Sequence, residues 1–267
     1  MSKVIVVTNR KGGCGKSTTT ASLGAALAKR GKKVLLIDGD SQRSLTISLG
    51  ETEPENLRVT LTSILSNIIS DKENETESVI EPTAGIIHHV EGFDLLAANK
   101  GLASIETALV PLMGRELVLK RYIDKVRLLY DYVLIDTPPT SSLLTVNSIT
   151  AADSVIIPVA PKFLDAKGLE LLLKNIVQIQ NLLNPNLQIA GILLTMVDTR
   201  ATFTKKVIDT IQNSYGEQIR VFKNAIPHSI RAVEASATGS SIFAYDPKGK
   251  IATAYDTVAD ELILGGA

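Results

Sequence analysis

Five short runs of valine, isoleucine and leucine recur along the 267-residue chain, and they limit what it can fold into. A strand buried on both faces of a parallel sheet gives a nearly continuous apolar run, whereas a strand with one wet face alternates. Stretches with apolar spacing of three and four residues lie between the runs, as expected of crossover helices. The sequence therefore predicts an α/β fold, with a doubly wound, mostly parallel sheet flanked by helices. The predicted strands are 4–8, 33–38, 132–136, 154–159 and 191–196, with less continuous candidates at 93–98 and 219–225.

Helical periodicity is clearest in three stretches, and a glycine, Gly31, follows the first of them as a helix-ending residue would. No linker rich in glycine, serine or proline divides the chain, so residues 1–267 are predicted to form one domain. The least regular stretch contains an acidic run at 71–77, which is predicted to be a solvated loop. The predicted helices are 17–30, 116–129 and 169–183.

The charges of the chain cancel, with 28 basic and 28 acidic residues. This balance excludes a uniformly basic coat protein, so any surface that binds a polyanion must be a local patch. The single cysteine, Cys14, excludes an internal disulfide and suits a reducing compartment. The sequence has neither a signal-peptide layout nor an apolar run near the roughly 20 residues of a membrane span. We therefore expect a cytoplasmic protein with no membrane partner.

A glycine-rich segment joins the first predicted strand to the first predicted helix. Its glycines allow backbone N–H groups to turn toward phosphate oxygens, and the positive end of the helix adds to their field. Within it, Lys16 can reach the β and γ phosphates and the Ser17 hydroxyl can bind Mg²⁺. The sequence therefore predicts a nucleotide-binding phosphate loop. The loop reads Lys11, Gly12, Gly13, Cys14, Gly15, Lys16, Ser17, Thr18.

The loop departs from the general phosphate-loop pattern at two positions. Arg10 stands where that pattern has its first glycine, and a second lysine, Lys11, lies inside the loop. In both respects it resembles the deviant Walker A loop of the ParA/MinD family of P-loop ATPases. The resemblance implies that Lys11 reaches the phosphates of the nucleotide bound by a partner subunit. It therefore implies a homodimer that encloses ATP between its subunits.

Three aspartates follow apolar runs. Asp38 and Asp40 come at the end of the second predicted strand, and Asp136 ends the third. Ligands of an open parallel sheet bind beyond the carboxyl ends of its strands, where these acids would meet. Three neighbouring carboxylates repel one another unless lysines or a metal compensate. Any one of them could instead simply cap a turn, but the set indicates a metal and nucleotide site.

The segments that carry these acids, 35–42 and 133–139, resemble the second motif and the Walker B region of the same family. The resemblance implies that Asp136 and Ser17 hold Mg²⁺ and that Asp38 supports the metal or its water network. It also implies that Asp40 orients the attacking water, so that Lys11, Lys16 and Asp40 are the predicted catalytic residues. Two positions differ from the family, which commonly has proline and glycine where this chain has Ser41 and Arg43.

The base is predicted to be adenine. The guanine-reading pattern N-K-x-D has no counterpart after the last predicted apolar run, which continues through 194–198. By resemblance to ParA ATPases, the segment 226–229 contacts the base through Pro227 and Ser229. A proline that ends an apolar run is also a common turn residue, so this reading has an ordinary structural alternative. The expected cofactors are ATP and Mg²⁺.

A basic stretch lies late in the chain, where residues 200–231 hold six basic and two acidic side chains. The resemblance covers nearly the whole chain, and ParA-type partition proteins bind DNA without sequence preference as ATP-bound dimers. It implies a nucleoid-associated ATPase that positions a plasmid, chromosome or organelle with a ParB-like adaptor. Phosphate contacts made by lysine and arginine carry no base information, in agreement with this role. The predicted DNA-binding residues are Arg200, Lys205, Lys206, Lys223 and Arg231.

Two other classes of protein share parts of this pattern. A MinD-like membrane-cycling ATPase would need a basic amphipathic tail, but no lysine or arginine follows Lys250, and acids such as Asp256 do. A nitrogenase-type iron protein needs cluster-bridging cysteines that Cys14 alone cannot supply. The adjacent pair His88 and His89 is not predicted to bind a metal, because neighbouring side chains diverge and no further ligands surround them.

Overall fold

A computed structural model of the protein describes residues 2–70, 80–161, 166–198 and 200–265, so the acidic run 71–77 lies outside the described residues. Its strands form one sheet in the order β3-β4-β2-β5-β1-β6-β7. All neighbouring strands are parallel except β3, which runs antiparallel to β4 at one edge. The strands are β1 (Lys3–Val7), β2 (Val34–Asp38), β3 (Ile86–His88), β4 (Asp94–Leu96), β5 (Tyr132–Asp136), β6 (Ser154–Val159) and β7 (Gln188–Leu194).

The helices cover both faces of this sheet, as predicted. Along β1, Val4 and Val6 join one apolar cluster while Ile5 and Val7 join the other. This alternation follows from the two-residue period of a strand, and it explains why the central strands are apolar throughout. The helices are α1 (Lys16–Lys29), α2 (Ser44–Ser48), α3 (Leu61–Ile69), α4 (Leu102–Leu109), α5 (Val118–Val126), α6 (Leu143–Ala151), α7 (Ala166–Leu182), α8 (Thr202–Tyr215), α9 (Arg231–Ala237), α10 (Ile242–Tyr245) and α11 (Lys250–Leu264).

The predicted helix 116–129 is α-helical only over α5. Short 3₁₀ turns, Arg115–Leu117 and Arg127–Leu129, replace its two ends. The buried amide of Asn147 on α6 holds the start of α5, because its Oδ1 accepts from the backbone N–H of Leu119 at 3.0 Å. An α-helix that began earlier would have to displace this contact.

The predicted strand over 219–225 was wrong. Only Val221 forms a bridge to β7, at Ile192. The backbone N–H groups of Lys223 and Asn224 donate instead to the side-chain carboxylate of Glu261 on α11, at 3.1 and 3.0 Å. At these two residues a carboxylate has therefore replaced the neighbouring strand as hydrogen-bond acceptor, whereas the N–H of Phe222 still donates to the carbonyl of Ile192 at 3.0 Å. The segment covers the edge of β7 without continuing the sheet.

The C-terminal helix α11 packs on α1, the helix that follows the glycine-rich loop. The guanidinium of Arg30 contacts Asp256 at 2.6 Å and Asp260 at 2.8 Å. Within the interface, the hydroxyls of Thr19 and Tyr255 lie 2.9 Å apart and both residues are buried. The tail is therefore a structural element of one face of the sheet. Across the described parts of the chain, we find no helix with both the length and the apolar character needed to cross a bilayer.

Candidate nucleotide site

The glycine-rich loop leaves β1 and is anchored to the sheet before it turns. Asn9 donates through Nδ2 to the carbonyl of Pro158 on β6 at 2.7 Å, and its Oδ1 accepts from the N–H of Lys11 at 3.0 Å. Gly13 and Gly15 then adopt φ values of 70° and 84°, the left-handed region that a side chain disfavours. Gly15 caps the start of α1 in this conformation. The glycines are thus required by the turn that directs the loop into the helix.

Lys16 is buried at the start of α1, with 7% of its surface exposed. Its ammonium donates to the carbonyl of Lys11 at 3.2 Å, and the thiol of Cys14 donates to the same carbonyl at 3.2 Å. Burial raises the pKa of the Cys14 thiol, so it stays protonated. From the other side, the hydroxyl of Thr195 donates to the carbonyl of Cys14 at 2.8 Å and ties the loop to the end of β7. These hydrogen bonds hold the loop against the start of α1 and the end of β7.

Asp38 and Asp136 lie opposite each other at the carboxyl ends of β2 and β5, and both are fully buried. Burial raises the pKa of each carboxyl, and the proximity of Asp38 raises that of Asp136 further. Lys16 and the hydroxyl of Ser17 act in the opposite direction on Asp136. Two buried acids this close need a positive charge to remain ionised together.

The two buried aspartates differ in their hydrogen bonds. Asp38 accepts at Oδ2 from the N–H of Thr46 at 2.8 Å and from its hydroxyl at 2.7 Å, and at Oδ1 from the N–H of Asp40 at 3.0 Å. By contrast, neither oxygen of Asp136 has a partner of ordinary hydrogen-bond geometry among the described residues, although Ser17 lies close to it. An unpartnered buried carboxylate beside a hydroxyl has the chemistry of a hydrated magnesium site. The residues present thus fit Mg²⁺, with Asp136 and Ser17 able to hold it and Asp38 fixing the loop that follows β2.

Asp40 is the third acid, and it is nearly buried at 6% exposure. Its Oδ1 accepts from the N–H of Gln42 at 2.9 Å, and its carbonyl accepts from the N–H of Arg43 at 2.8 Å. Arg43 has φ 58°, the left-handed conformation that suits the glycine expected at this position. Its guanidinium is held by Glu55 at 3.0 Å. Arginine thus preserves the turn that glycine would make.

Two cavities meet at the start of α1. One, of about 420 Å³, is called the polar cavity here for its charged and hydroxyl side chains; Gly12, Gly13 and Gly15 to Thr18 of the phosphate loop line it together with Asp40 and Gln42. A second, mostly apolar one of about 220 Å³ is lined by Ile226 to Ser229 and by Tyr255, so both predicted base contacts, Pro227 and Ser229, are on its wall. A phosphate chain matches the first cavity and a planar base matches the second.

Lys11 lies on the other side of the loop. It lines a separate cavity of about 470 Å³ together with Asn9, Arg10 and Lys167. The two lysines of the motif therefore line different cavities, Lys16 the polar cavity and Lys11 the cavity beside α7, and Gly12 and Gly13 line both. A lysine that binds the phosphates of its own subunit would be expected to line the polar cavity, and Lys11 does not.

The five predicted DNA-binding residues are exposed, but their surroundings differ. Lys205, Lys206 and Lys223 form no ion pair with any residue that the structure describes. Arg200 lies 3.5 Å from Asp198, and Arg231 lies 3.3 Å from Glu234. The charge counted over 200–231 also includes Arg220, which Glu261 pairs at 3.3 Å. The net charge of that range overstates the patch, because acids outside the range neutralise part of it.

The adjacent histidines diverge as predicted. His88 faces Asp94 at 2.7 Å, whereas the ring of His89 stacks on Phe93 with centroids 4.5 Å apart. Several contact residues of the site, by contrast, were missed by sequence reasoning. Asn9 could have been found as a polar residue just past a buried strand, but Thr195 and Met196 were included in a predicted strand and gave no separate signal.

Comparison with known proteins places this geometry in a family. A family profile described as an AAA domain matches residues 2–189. Sporulation initiation inhibitor protein Soj of Bacillus subtilis is 38% identical over 266 residues, which cover 100% of both chains. Chromosome partitioning protein ParA of Caulobacter vibrioides is 34% identical over 263 residues, covering 98% of this chain and 94% of that protein.

Solved structures share the fold of this chain, and some of them contain a bound nucleotide. Cobyrinic acid a,c-diamide synthase from Mycobacterium smegmatis, with bound ADP and magnesium, has a TM-score of 0.83 and 36% identity, covering 98% of this chain and 94% of that chain. The same protein has also been solved with an ATP analogue and magnesium. These ligands agree with ATP and Mg²⁺ as the predicted cofactors, and the fold class is confirmed. With its Soj and ParA relatives matched over 100% and 94% of their length, this chain belongs to the ParA/Soj-type partition ATPases of the P-loop class.

Proposed function

We propose that this protein hydrolyses Mg·ATP as a homodimer that encloses two nucleotides, and that it binds DNA without sequence preference in the ATP state. A ParB-like adaptor stimulates hydrolysis, and the cycle positions a plasmid, chromosome or organelle. The single observation that carries the proposal is the unpartnered buried carboxylate of Asp136 beside Ser17 and Lys16, at the polar cavity of the phosphate loop. A cation would supply the partner that the Asp136 carboxylate lacks, and a phosphate chain would accept further hydrogen bonds from the Lys16 ammonium.

Each residue of the polar cavity has a role set by its surroundings. Lys16 and the loop N–H groups bind the β and γ phosphates, and Ser17 and Asp136 hold the metal. Mg²⁺, when bound, neutralises charge on the phosphate oxygens. Asp38 positions the N–H of Asp40 and the start of α2, because its own oxygens are already occupied. Asp40 accepts a proton or hydrogen bond from the attacking water, since it lines the same cavity.

The placement of Lys11 supports the dimer. It lines the cavity beside α7 and is not among the residues that line the polar cavity of its own subunit. A second subunit that approached this side would receive the lysine at its nucleotide. The developing charge on the transferred phosphoryl group would then be met by lysines from both subunits.

The exposed lysines support DNA binding through the phosphate backbone. Lys205, Lys206 and Lys223 can each neutralise a phosphate and release counterions. Arg200 and Arg231 hold exposed ion pairs, which contribute little to stability and can exchange for phosphate contacts. Dimerisation would double the patch, so DNA affinity would follow the ATP state.

The membrane-cycling alternative is not favoured. The apolar face of α11 is buried against α1, and its acids are held by Arg30 and Arg220. Exposing that face to lipid would require the helix to leave the fold. A membrane role would therefore need another segment.

Calorimetry tests the nucleotide site. Lys16→Ala should abolish ATP binding, because it removes the buried ammonium at the polar cavity. Lys205→Ala is the matched control, since it removes an exposed lysine and should leave ATP affinity unchanged. Unaltered ATP affinity in Lys16→Ala would overturn the assignment of the loop.

Gel filtration and turnover measurements test hydrolysis. Asp40→Ala should keep ATP binding but form a long-lived ATP dimer, because the metal and phosphate ligands remain while the water loses its carboxylate. Normal turnover in this variant would remove Asp40 from the mechanism.

Lys11→Ala should bind ATP yet remain a monomer, and a dimer of ordinary stability would refute the role of Lys11 across the interface.

A further inference from the structure

The polar and apolar cavities share part of their walls. Four residues line both of them: Gly15, Thr18, Met196 and Ser236. These residues form a waist between the space that matches a phosphate chain and the space that matches a base. A ligand that fills both cavities must place its connecting group at this waist.

Met196 has a strained backbone there. Among the described residues, only Arg43 and Met196 have a positive φ without being glycine, and the φ of Met196 is 52°. Such strain persists only where the surroundings enforce it, and it concentrates at functional sites. The turn after Asp40 explains the positive φ of Arg43. No comparable turn explains why a methionine adopts a positive φ just after β7.

The neighbours of Met196 enforce its conformation. The N–H of Thr195 donates to the carbonyl of Val159 at 2.8 Å, and the N–H of Val197 donates to the carbonyl of Ile226 at 2.9 Å. Both flanking residues are thus fixed to the sheet and to the segment that covers its edge. The side chain of Met196 is directed at the start of α1, where its Cε lies 3.7 Å from the position that a Cβ on Gly15 would take.

We propose that Met196 is a binding residue for the sugar of the nucleotide, and that the left-handed backbone serves to aim its thioether into the waist. This inference rests on the proposed function, since it assumes a ligand with both a base and a phosphate chain. The unbranched, polarisable methionine side chain packs against the apolar edge of the ribose. Met196 thereby favours a nucleotide, which spans both cavities, over a bare polyphosphate, which fills only one.

Calorimetry on the whole protein with three probes tests the inference: MgATP, MgADP and magnesium tripolyphosphate. Met196→Asn is the informative variant, because asparagine tolerates the left-handed region but lacks the apolar side chain. It should raise the Kd for both nucleotides about tenfold, the scale expected for losing one apolar contact of this size, and leave the Kd for tripolyphosphate unchanged. Met196→Leu should restore nucleotide affinity, since leucine has a similar volume.

Met113 provides the matched control, because it is fully exposed and far along the chain between α4 and α5. Met113→Asn should bind all three probes as the unchanged protein does. Equal weakening of all three probes by Met196→Asn would show that Met196 only supports the fold, and unaltered ATP affinity would overturn its contact with the sugar. If the unchanged protein fails to bind ATP, the proposed function and this inference both fail. That result differs from the two outcomes for Met196→Asn, which contradict only the contact between Met196 and the sugar.

Discussion

The hydrogen bond between Thr19 and Tyr255 joins the helix after the phosphate loop to the C-terminal helix, and we expect its removal to destabilise the protein. The hydroxyls lie 2.9 Å apart, and both residues are buried at 0% and 1% exposure. Tyr255→Phe leaves the Thr19 hydroxyl without this partner, which costs about 1–3 kcal/mol of unfolding free energy. Thr19→Val leaves the Tyr255 hydroxyl in the same position, with a cost of similar size.

The double variant distinguishes this account from simple loss of packing. Because Thr19→Val with Tyr255→Phe removes both polar groups and keeps their shapes, its loss should be no larger than that of either single variant. Urea unfolding of the four nucleotide-free proteins, followed by circular dichroism, measures the cycle. Tyr245→Phe is the control, since its hydroxyl contacts the partly exposed Glu234 at 3.2 Å and its removal should lower the free energy of unfolding by less than about 1 kcal/mol. Additive losses in the double variant would refute the coupling of the two helices through this bond.

Three further predictions concern the same face of the sheet. Gly24→Ala would ordinarily stabilise a helix by about 1 kcal/mol. Its Cβ, however, would lie 2.6 Å from Cδ2 of the buried Leu36, and overpacking costs about 1–3 kcal/mol. Because this cost exceeds the gain, the urea midpoint should fall. A higher midpoint would contradict this. Arg30→Met keeps the apolar stem and loses two partly exposed ion pairs. It should therefore lower the free energy of unfolding by about 1 kcal/mol at low salt and by less in 1 M NaCl. A loss of stability that is independent of salt would contradict the electrostatic cause. Burial alone would raise the pKa of Glu261, yet hydrogen bonds from the side chain and N–H of Asn224 hold that pKa below its ordinary value. The stability advantage of the unchanged protein over Glu261→Gln should therefore be present at neutral pH and disappear as pH falls through the lowered pKa. A stability difference that is constant with pH would show that the charge of Glu261 is not involved.

Strands buried on both faces were predictable because their sequence pattern depends on burial alone. The bounds of β5 and β6 agree with the prediction residue for residue. The edge strand β3 has only three residues, so it leaves no pattern in a single sequence. The apolar stretch 219–225 misled for the opposite reason, because Glu261, about forty residues away in the chain, takes the backbone N–H groups that a strand would share.

The site follows the same division. The phosphate loop and the aspartates could be placed because each is a contiguous motif at the end of a predicted strand. Met196 and Tyr255 could not, since their importance comes from where β7 and α11 meet the start of α1. The predicted DNA patch shows the same limit for charge, because Asp198, Glu234 and Glu261 neutralise arginines that a count over 200–231 treats as free.

The most direct test of the central claim is co-sedimentation of the protein with random-sequence DNA and with anionic liposomes, each in ATP, ADP or no nucleotide. The proposal predicts binding to DNA in ATP alone, weakened by rising salt, with no binding to liposomes under any condition. DNA binding that is the same in all three nucleotide conditions, or binding to liposomes in place of DNA, would contradict it.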